Sequence, residues 1–273
     1  MPGPALSRQQ RRKVRRDLAQ RGRKALQRGL PVPLSDEDGL AIALCLRETI
    51  ADPANPRPAA AMAEAAEAIL DRTLAVQTKP LNIACAKGCN HCCHCLVVAT
   101  PPEIFRIANW LSQRIGNEDG GMVAKVHSEA SRRRPMSAQD RFQDSALCAM
   151  DAGGACGVYH VRPLPCRALL SLSAEACRLG IMEGRGQIPL VTGAMDSAEI
   201  VRTLMLAAVR SLGLSDAGYE LTAGVSLALT APDSEQRWLA GEDVFAGAPR
   251  GPRPPQARAL EDRIAMQIQS LVD

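Results

Sequence analysis

Four cysteines fall within nine residues, as Cys85-x3-Cys89-x2-Cys92-Cys93, and three more follow as Cys148-x7-Cys156-x9-Cys166. Thiols this dense call for disulfides or for metal, and the compartment decides between them. The N-terminus is polybasic and never reaches an apolar signal core, and no run of eighteen apolar residues occurs. Neither a secretory signal nor a membrane span is therefore expected, which places the chain in the cytoplasm with its thiols reduced. Metal is the consequence. Cys89 and Cys92 have the spacing of a metal knuckle, in which a tight turn aims two sulfurs at one ion. Cys85 and Cys89 are four apart and leave one face of a helical turn. Adjacent Cys92 and Cys93 point apart on most backbones, so they are expected to serve two metals or opposite sides of one cluster. Soft thiolates select zinc or iron, the latter alone or in an iron–sulfur cluster, over magnesium or calcium.

The 273 residues are 46% apolar, enough to bury a core, but only 3% aromatic, so the bulkiest core fillers are scarce. Helical signals dominate. Ser35 with Asp38 suits a helix start over about 36–51, and Met62, Ala66, Ile69, Leu70 and Thr73 share a face of the next helix. Thr100-Pro-Pro-Glu103 combines a capping box with proline at the first helical position, and Ile104, Ile107, Ala108, Leu111 and Ile115 keep the helical period. Gly120-Gly121 precedes a further polar helix that ends near Arg134-Pro135. Ile200 to Leu212 form a helix closed by Gly213, and shorter patterns follow over 216–230 and 233–240. No alternating strand pattern stands out. The expected fold is mostly α: a small helical domain organised around an irregular cysteine-rich metal site. Its expected parts are a basic, partly disordered arm (1–30), N-terminal helices (31–79), the cysteine-cluster region (80–180), a helical extension (181–245), a Pro/Gly linker (246–256) and a C-terminal helix (257–273).

The residues around the two clusters resemble the YkgJ-type cysteine cluster family of zinc- or iron-chelating domains. The matching positions are Cys85, Cys89, Cys92 and Cys93, then Cys148, Cys156, Tyr159, Arg162, Pro163, Cys166 and Arg167, with the Val97-to-Ile104 stretch between them. The resemblance spans about residues 80–180 and implies a metal-chelating site without implying a particular reaction. The expected ligands are Cys85, Cys89, Cys92, Cys93, Cys148, Cys156, Cys166 and Cys177. Cys177 and Cys95 are the two that a spare-thiol reading also fits, and Cys45, in an apolar helix, reads as a buried inert thiol. Several thiolates around one cation leave net negative charge, which Arg162, Arg167 and Lys87 are placed to answer, while Tyr159 has a hydroxyl to donate to a sulfur or a carbonyl. His91 and His94 sit inside the first cluster, but there are thiolates enough without them.

Four zinc-bound thiolates would make a closed, structural site. An iron–sulfur cluster would use the same residues and move electrons or keep one iron open. Cys85-x3-Cys89-x2-Cys92 also coincides with the spacing of radical SAM enzymes, which need a series of strand–helix units that the downstream sequence does not offer. A related cluster in the flagellin lysine methylases makes an iron–sulfur enzyme the alternative function. No phosphate-binding GxxxxGK[ST], HExxH or nucleophile elbow is present.

Charge supplies the remaining expectation. Residues 1–30 hold ten Lys and Arg against Asp17, a net +9 in a chain of +4 overall. Such an arm, residues 8–28, can contact nucleic acid or an acidic partner, although no aromatic is interleaved for base stacking.

Overall fold

The computed structural model describes residues 7–86, 88–114 and 120–272. It is mostly α, with 62% helix and 3% strand. The helices are α1 (Arg8–Arg28), α2 (Asp36–Ile50), α3 (Pro58–Gln77), α4 (Pro101–Ser112), α5 (Gly120–Arg133), α6 (Ala138–Gln143), α7 (Leu164–Ala168), α8 (Ala174–Cys177), α9 (Thr192–Arg210), α10 (Leu221–Thr230), α11 (Ser234–Leu239) and α12 (Pro255–Val272). Two short strands, β1 (Val98–Ala99) and β2 (Tyr219–Glu220), pair antiparallel with Val98 opposite Glu220. Among the described residues no helix is long and apolar enough to cross a membrane.

Local chemistry starts these helices where the sequence says it should. Ser35 accepts the Asp38 N–H at the head of α2, and Thr100 and Glu103 close a reciprocal box at the head of α4. The apolar faces of α2, α3 and α9 then form the centre, with α12 laid against α9 and α2, and α4 joining α3 to α10. Aromatic side chains are few but concentrated. Phe105 of α4 lies 5.6 Å from Trp238, and Phe245 lies 5.2 Å from Phe105 and 4.9 Å from Tyr219, all four being buried. That cluster fastens residues 219–245 to α4, so one core runs through both the cysteine region and the segment expected as an extension.

Three expectations are corrected. From residue 8 the basic arm is ordered: α1 buries Leu18, Gly22 and Ala25 against the body. A Cβ on Gly22 would lie 2.5 Å from the Ala41 carbonyl oxygen, so glycine is what lets α1 approach α2 this closely. Burial of Leu18 alone is worth about 1.5–3 kcal/mol, and Arg21 pairs with Glu37 and Asp38 to fix the register. The linker is equally well packed. The Pro249 carbonyl accepts the Glu220 N–H at 2.8 Å, Gly251 N–H reaches the Gly218 carbonyl at 2.9 Å, and Arg253 meets the fully buried Glu261. Prolines keep this segment from being helical without freeing it. Finally, the helix expected from 216 begins at Leu221, because residues 219–220 are β2 and the Glu220 carboxylate caps α10 through Thr222 and Ala223 N–H groups. Ile115 of the expected fourth-helix pattern and Lys87 lie outside the described residues.

Candidate metal centre

The first cluster is built on turns. Gly88 takes φ +91°, a conformation glycine adopts without strain, and Cys89 N–H bonds the Ala86 carbonyl at 3.0 Å. A 3-10 turn over His91–His94 follows and, against the expectation that adjacent Cys92 and Cys93 point apart, leaves their thiols within hydrogen-bonding reach of each other. The second cluster is stitched to it by backbone. Cys148 N–H donates to the Cys93 carbonyl at 2.8 Å, and Asp151, bridged to Cys156, accepts from the Asn90 amide at 3.4 Å. On the other flank Ala84 N–H reaches the Ser171 carbonyl, and Ser171 N–H returns to the Cys85 sulfur at 3.4 Å. Two segments about sixty residues apart in sequence are thus held as one unit.

These segments surround a single open cleft of about 1120 Å³. Cys85, Cys89, Cys92, Cys93, Cys95, Cys148, Cys156 and Cys166 all line it, eight of the ten cysteines. Of the expected ligands Cys177 is absent from that wall. It is buried at the end of α8, in the neighbourhood of Cys85 and Cys95. Cys95, one of the two candidates for a spare thiol, takes the place on the wall. Cys45 sits on α2 where α1 packs closest, its Cβ 2.7 Å from the position a Gly22 Cβ would take, so its reading as an inert thiol fits its surroundings.

The sulfurs act on one another. Cys93 donates to Cys92, which brings the Cys92 thiol down to about 6 and drives that of Cys93 up. Burial pushes the Cys166 thiol up, and the charges of Cys148, Cys92 and Cys156 push it further. Cys156 is raised by burial as well, with Arg162 opposing. Sulfurs so placed repel as thiolates until a cation joins them. The donor set is soft in kind, with eight sulfurs lining one cleft. Among the described residues, however, no three Cys, His, Asp or Glu side chains are drawn together tightly enough to hold an ion.

The accompanying residues divide the work differently from the expectation. Arg162 does face the sulfurs: its charge lowers Cys92, Cys156 and Cys166, and its guanidinium lies 4.1 Å over the Tyr159 ring. The Tyr159 hydroxyl accepts from Arg162 at 3.4 Å and reaches no sulfur, so this half-exposed ring is a platform for the arginine. Arg167 turns away from the cluster. It pairs with Glu67 at 2.8 Å and Asp71 at 2.7 Å on α3 and donates to the Arg162 and His160 carbonyls at 2.7 and 2.6 Å. It is a clamp that holds the 159–162 turn and α7 against α3. His94 binds the Ser145 carbonyl at 2.5 Å through Nδ1, which gives it a role in joining segments.

Two positioning residues went unread in the sequence. Glu103 caps α4 with one oxygen, and with the other it accepts the Leu164 N–H at 2.7 Å, the first residue of the helix that carries Cys166. Glu67 takes both Arg106 and Arg167 on one oxygen while the other is buried without a partner, and burial raises its carboxyl to about 7. The capping box was a signal for Glu103 as a helix start and for nothing more. Compared with family models, curated proteins and solved structures, the chain gives no significant match.

Proposed function

We propose that this chain is a metal-chelating cysteine-cluster protein that holds zinc or iron, the iron either alone or in an iron–sulfur cluster. The supporting observation is that eight of ten cysteines, drawn from two distant segments, line one cleft. Chance burial of inert thiols scatters them through a core as Cys45 is scattered. Under this reading Cys85, Cys89, Cys92, Cys93, Cys148, Cys156 and Cys166 supply thiolates, Cys95 and Cys177 stand beside them, and Arg162 answers their charge. Bound metal supplies crosslinking of the two segments and, if iron, redox chemistry. The likeness to YkgJ-type proteins belongs to the same proposal. Elemental analysis with sulfide determination tests it, as does Cys89→Ser, which is expected to lower bound metal and thermal stability together. Full metal retention in Cys89→Ser would overturn the ligand assignment. The methylase alternative gains nothing from a barrel, since the only strands among the described residues are β1 and β2.

A second reading, of a nucleic-acid contact on α1, has its own observation. Arg8, Arg12, Arg16 and Arg23 fall on one exposed face of this helix, and none has an ion pair among the described residues. Four guanidinium groups along one face form a cationic stripe suited to a phosphate backbone. Charge reversal at Arg12, Arg16 and Arg23 is expected to abolish binding of the full chain to single- or double-stranded RNA or DNA at about 50 mM salt. Equal binding by wild type and triple variant would refute it.

A further inference from the structure

The cleft is larger than a metal centre needs. At about 1120 Å³ it reaches the upper end of small-molecule sites, roughly 300–1,000 Å³. The cysteines wall only part of it. Another part is formed by α9, with Met195, Asp196, Ala198, Glu199 and Arg202, and by Val98 and Leu221. This wall mixes apolar and charged side chains, with Asp196 and Glu199 as its carboxylates and Arg202 as its cation.

Five of the arginines that are buried or partly buried are held by acids. Arg106, Arg133, Arg167, Arg210 and Arg253 each meet a carboxylate. Arg162 does not, but it lies against the thiols. Arg202 has neither a carboxylate nor a thiol to answer. It is half-buried, its Nε is sealed from solvent without a hydrogen-bond partner, and no ion pair reaches its guanidinium among the described residues. A carboxylate is available three residues back on the same helix, yet Glu199 turns to Arg253 instead. Room for the guanidinium comes from a glycine: a Cβ on Gly218 would lie 2.8 Å from Arg202 Nη2 and 2.7 Å from Val98 Cγ1. The half-buried charge costs free energy without a counter-ion, and a planar fork of donors fits a carboxylate or a phosphoryl group in two-point contact.

We infer that the α9 side of the cleft binds an organic anion, with its carboxylate or phosphoryl head on Arg202 and its apolar body along Val98, Met195, Ala198 and Leu221. The inference deepens the metal reading by giving the cysteine site a neighbouring ligand, but its own observations do not depend on metal being bound. A ligand seated there lies in the same cleft as the sulfurs, so the protein would be a binder or processor of that molecule as well as a chelator.

The test uses the full chain as purified, with metal quantified on each sample. Calorimetric titration compares phenyl phosphate, 3-phenylpropionate and the neutral 3-phenylpropionamide. At least one anion is expected to bind about tenfold or more tightly than the amide, and Arg202→Gln to remove that preference while metal content and thermal midpoint stay unchanged. Preference for the phosphate or for the carboxylate identifies the head group. Equal binding of all three, binding of none, or an anion preference that survives Arg202→Gln overturns the proposal. The anion-against-amide comparison on wild type needs no variant, so a misfolded Arg202→Gln does not rescue it. Anion preference without metal would sink the chelation reading alone, and metal without anion preference would sink this one alone.

Discussion

Glu103 offers the sharpest perturbation, because one carboxylate serves both the start of α4 and the helix that carries Cys166. Its Oε2 accepts from Thr100 N–H at 2.7 Å and from the Thr100 hydroxyl at 2.6 Å, and its Oε1 accepts from Leu164 N–H at 2.7 Å. Glu103 is 1% exposed, so no water can take over. Glu103→Gln keeps the volume but must present its amide NH2 to one of two backbone N–H groups. Whichever it faces is left as a buried donor without an acceptor, at about 1–3 kcal/mol. The surviving bonds also lose their charge assistance, for about 1–2 kcal/mol more. A total near 3 kcal/mol should lower the thermal midpoint by about 6–12 °C, given some 2–4 °C per kcal/mol at this size. The assay is urea or thermal unfolding of the purified full chain, read by circular dichroism, with chelator titration of bound metal alongside. Metal should leave at lower chelator concentration, because α7 loses its anchor. Glu64→Gln, which breaks only an exposed pair with Arg106, should stay within about 0.5 kcal/mol of wild type. A Glu103→Gln protein as stable as wild type would refute the energetic reasoning. A destabilised one with unchanged metal retention would refute the link between Glu103 and the cysteine site.

Further expectations concern Glu67 and the cysteines. The Glu67 carboxyl is raised by burial to about 7, above the ordinary glutamate range, so its neutral form is the one the fold favours. Its contribution to stability is fully present below about 4.5 and is lost as pH rises through about 7, a change of roughly 3 kcal/mol. Glu67→Gln mimics the neutral acid, with its amide nitrogen where Oε1 now lacks a partner. Wild type should therefore lose stability relative to Glu67→Gln between about pH 5 and 8, and parallel pH curves would contradict this. Cys45→Ser should leave metal content alone, since Cys45 lies between α1 and α2; loss of metal in that variant would place it in the site. Arg167→Lys should weaken metal retention, because a single ammonium cannot hold Glu67, Asp71 and two carbonyls at once; retention equal to wild type would remove its role as a clamp.

The helical architecture was legible because its signals are local. Ser35, Thr100-Pro-Pro-Glu103 and the periodic apolar faces each mark a helix from within a few residues, and the structure starts or builds helices at those places. What escaped depends on contacts between distant residues. The arm looks solvated by charge count, yet Leu18, Gly22 and Ala25 form a stripe narrow enough to be overlooked among ten cations. Residues 246–256 look like a linker by composition, and only the neighbouring strand and Glu261 reveal the packing. At the site the cysteine spacing singled out the residues that line the cleft, apart from the exchange of Cys95 for Cys177. Spacing cannot rank those two, since each lies within a dozen residues of other cysteines and only tertiary packing decides which faces the cleft. Arg167 was named for its neighbour Cys166, but a side chain's direction follows its carboxylates, and Glu67 and Asp71 lie about a hundred residues away.

Metal and acid-labile sulfide, measured on the full chain purified without air or chelator and paired with its visible spectrum, address the chelating cleft most directly. The expected result is at least one equivalent of zinc or iron per chain. Zinc would be colourless, and an iron–sulfur cluster would carry brown charge-transfer bands and matching sulfide. Trace metal only, with the cleft cysteines freely reactive to a thiol reagent in the native protein, would contradict it.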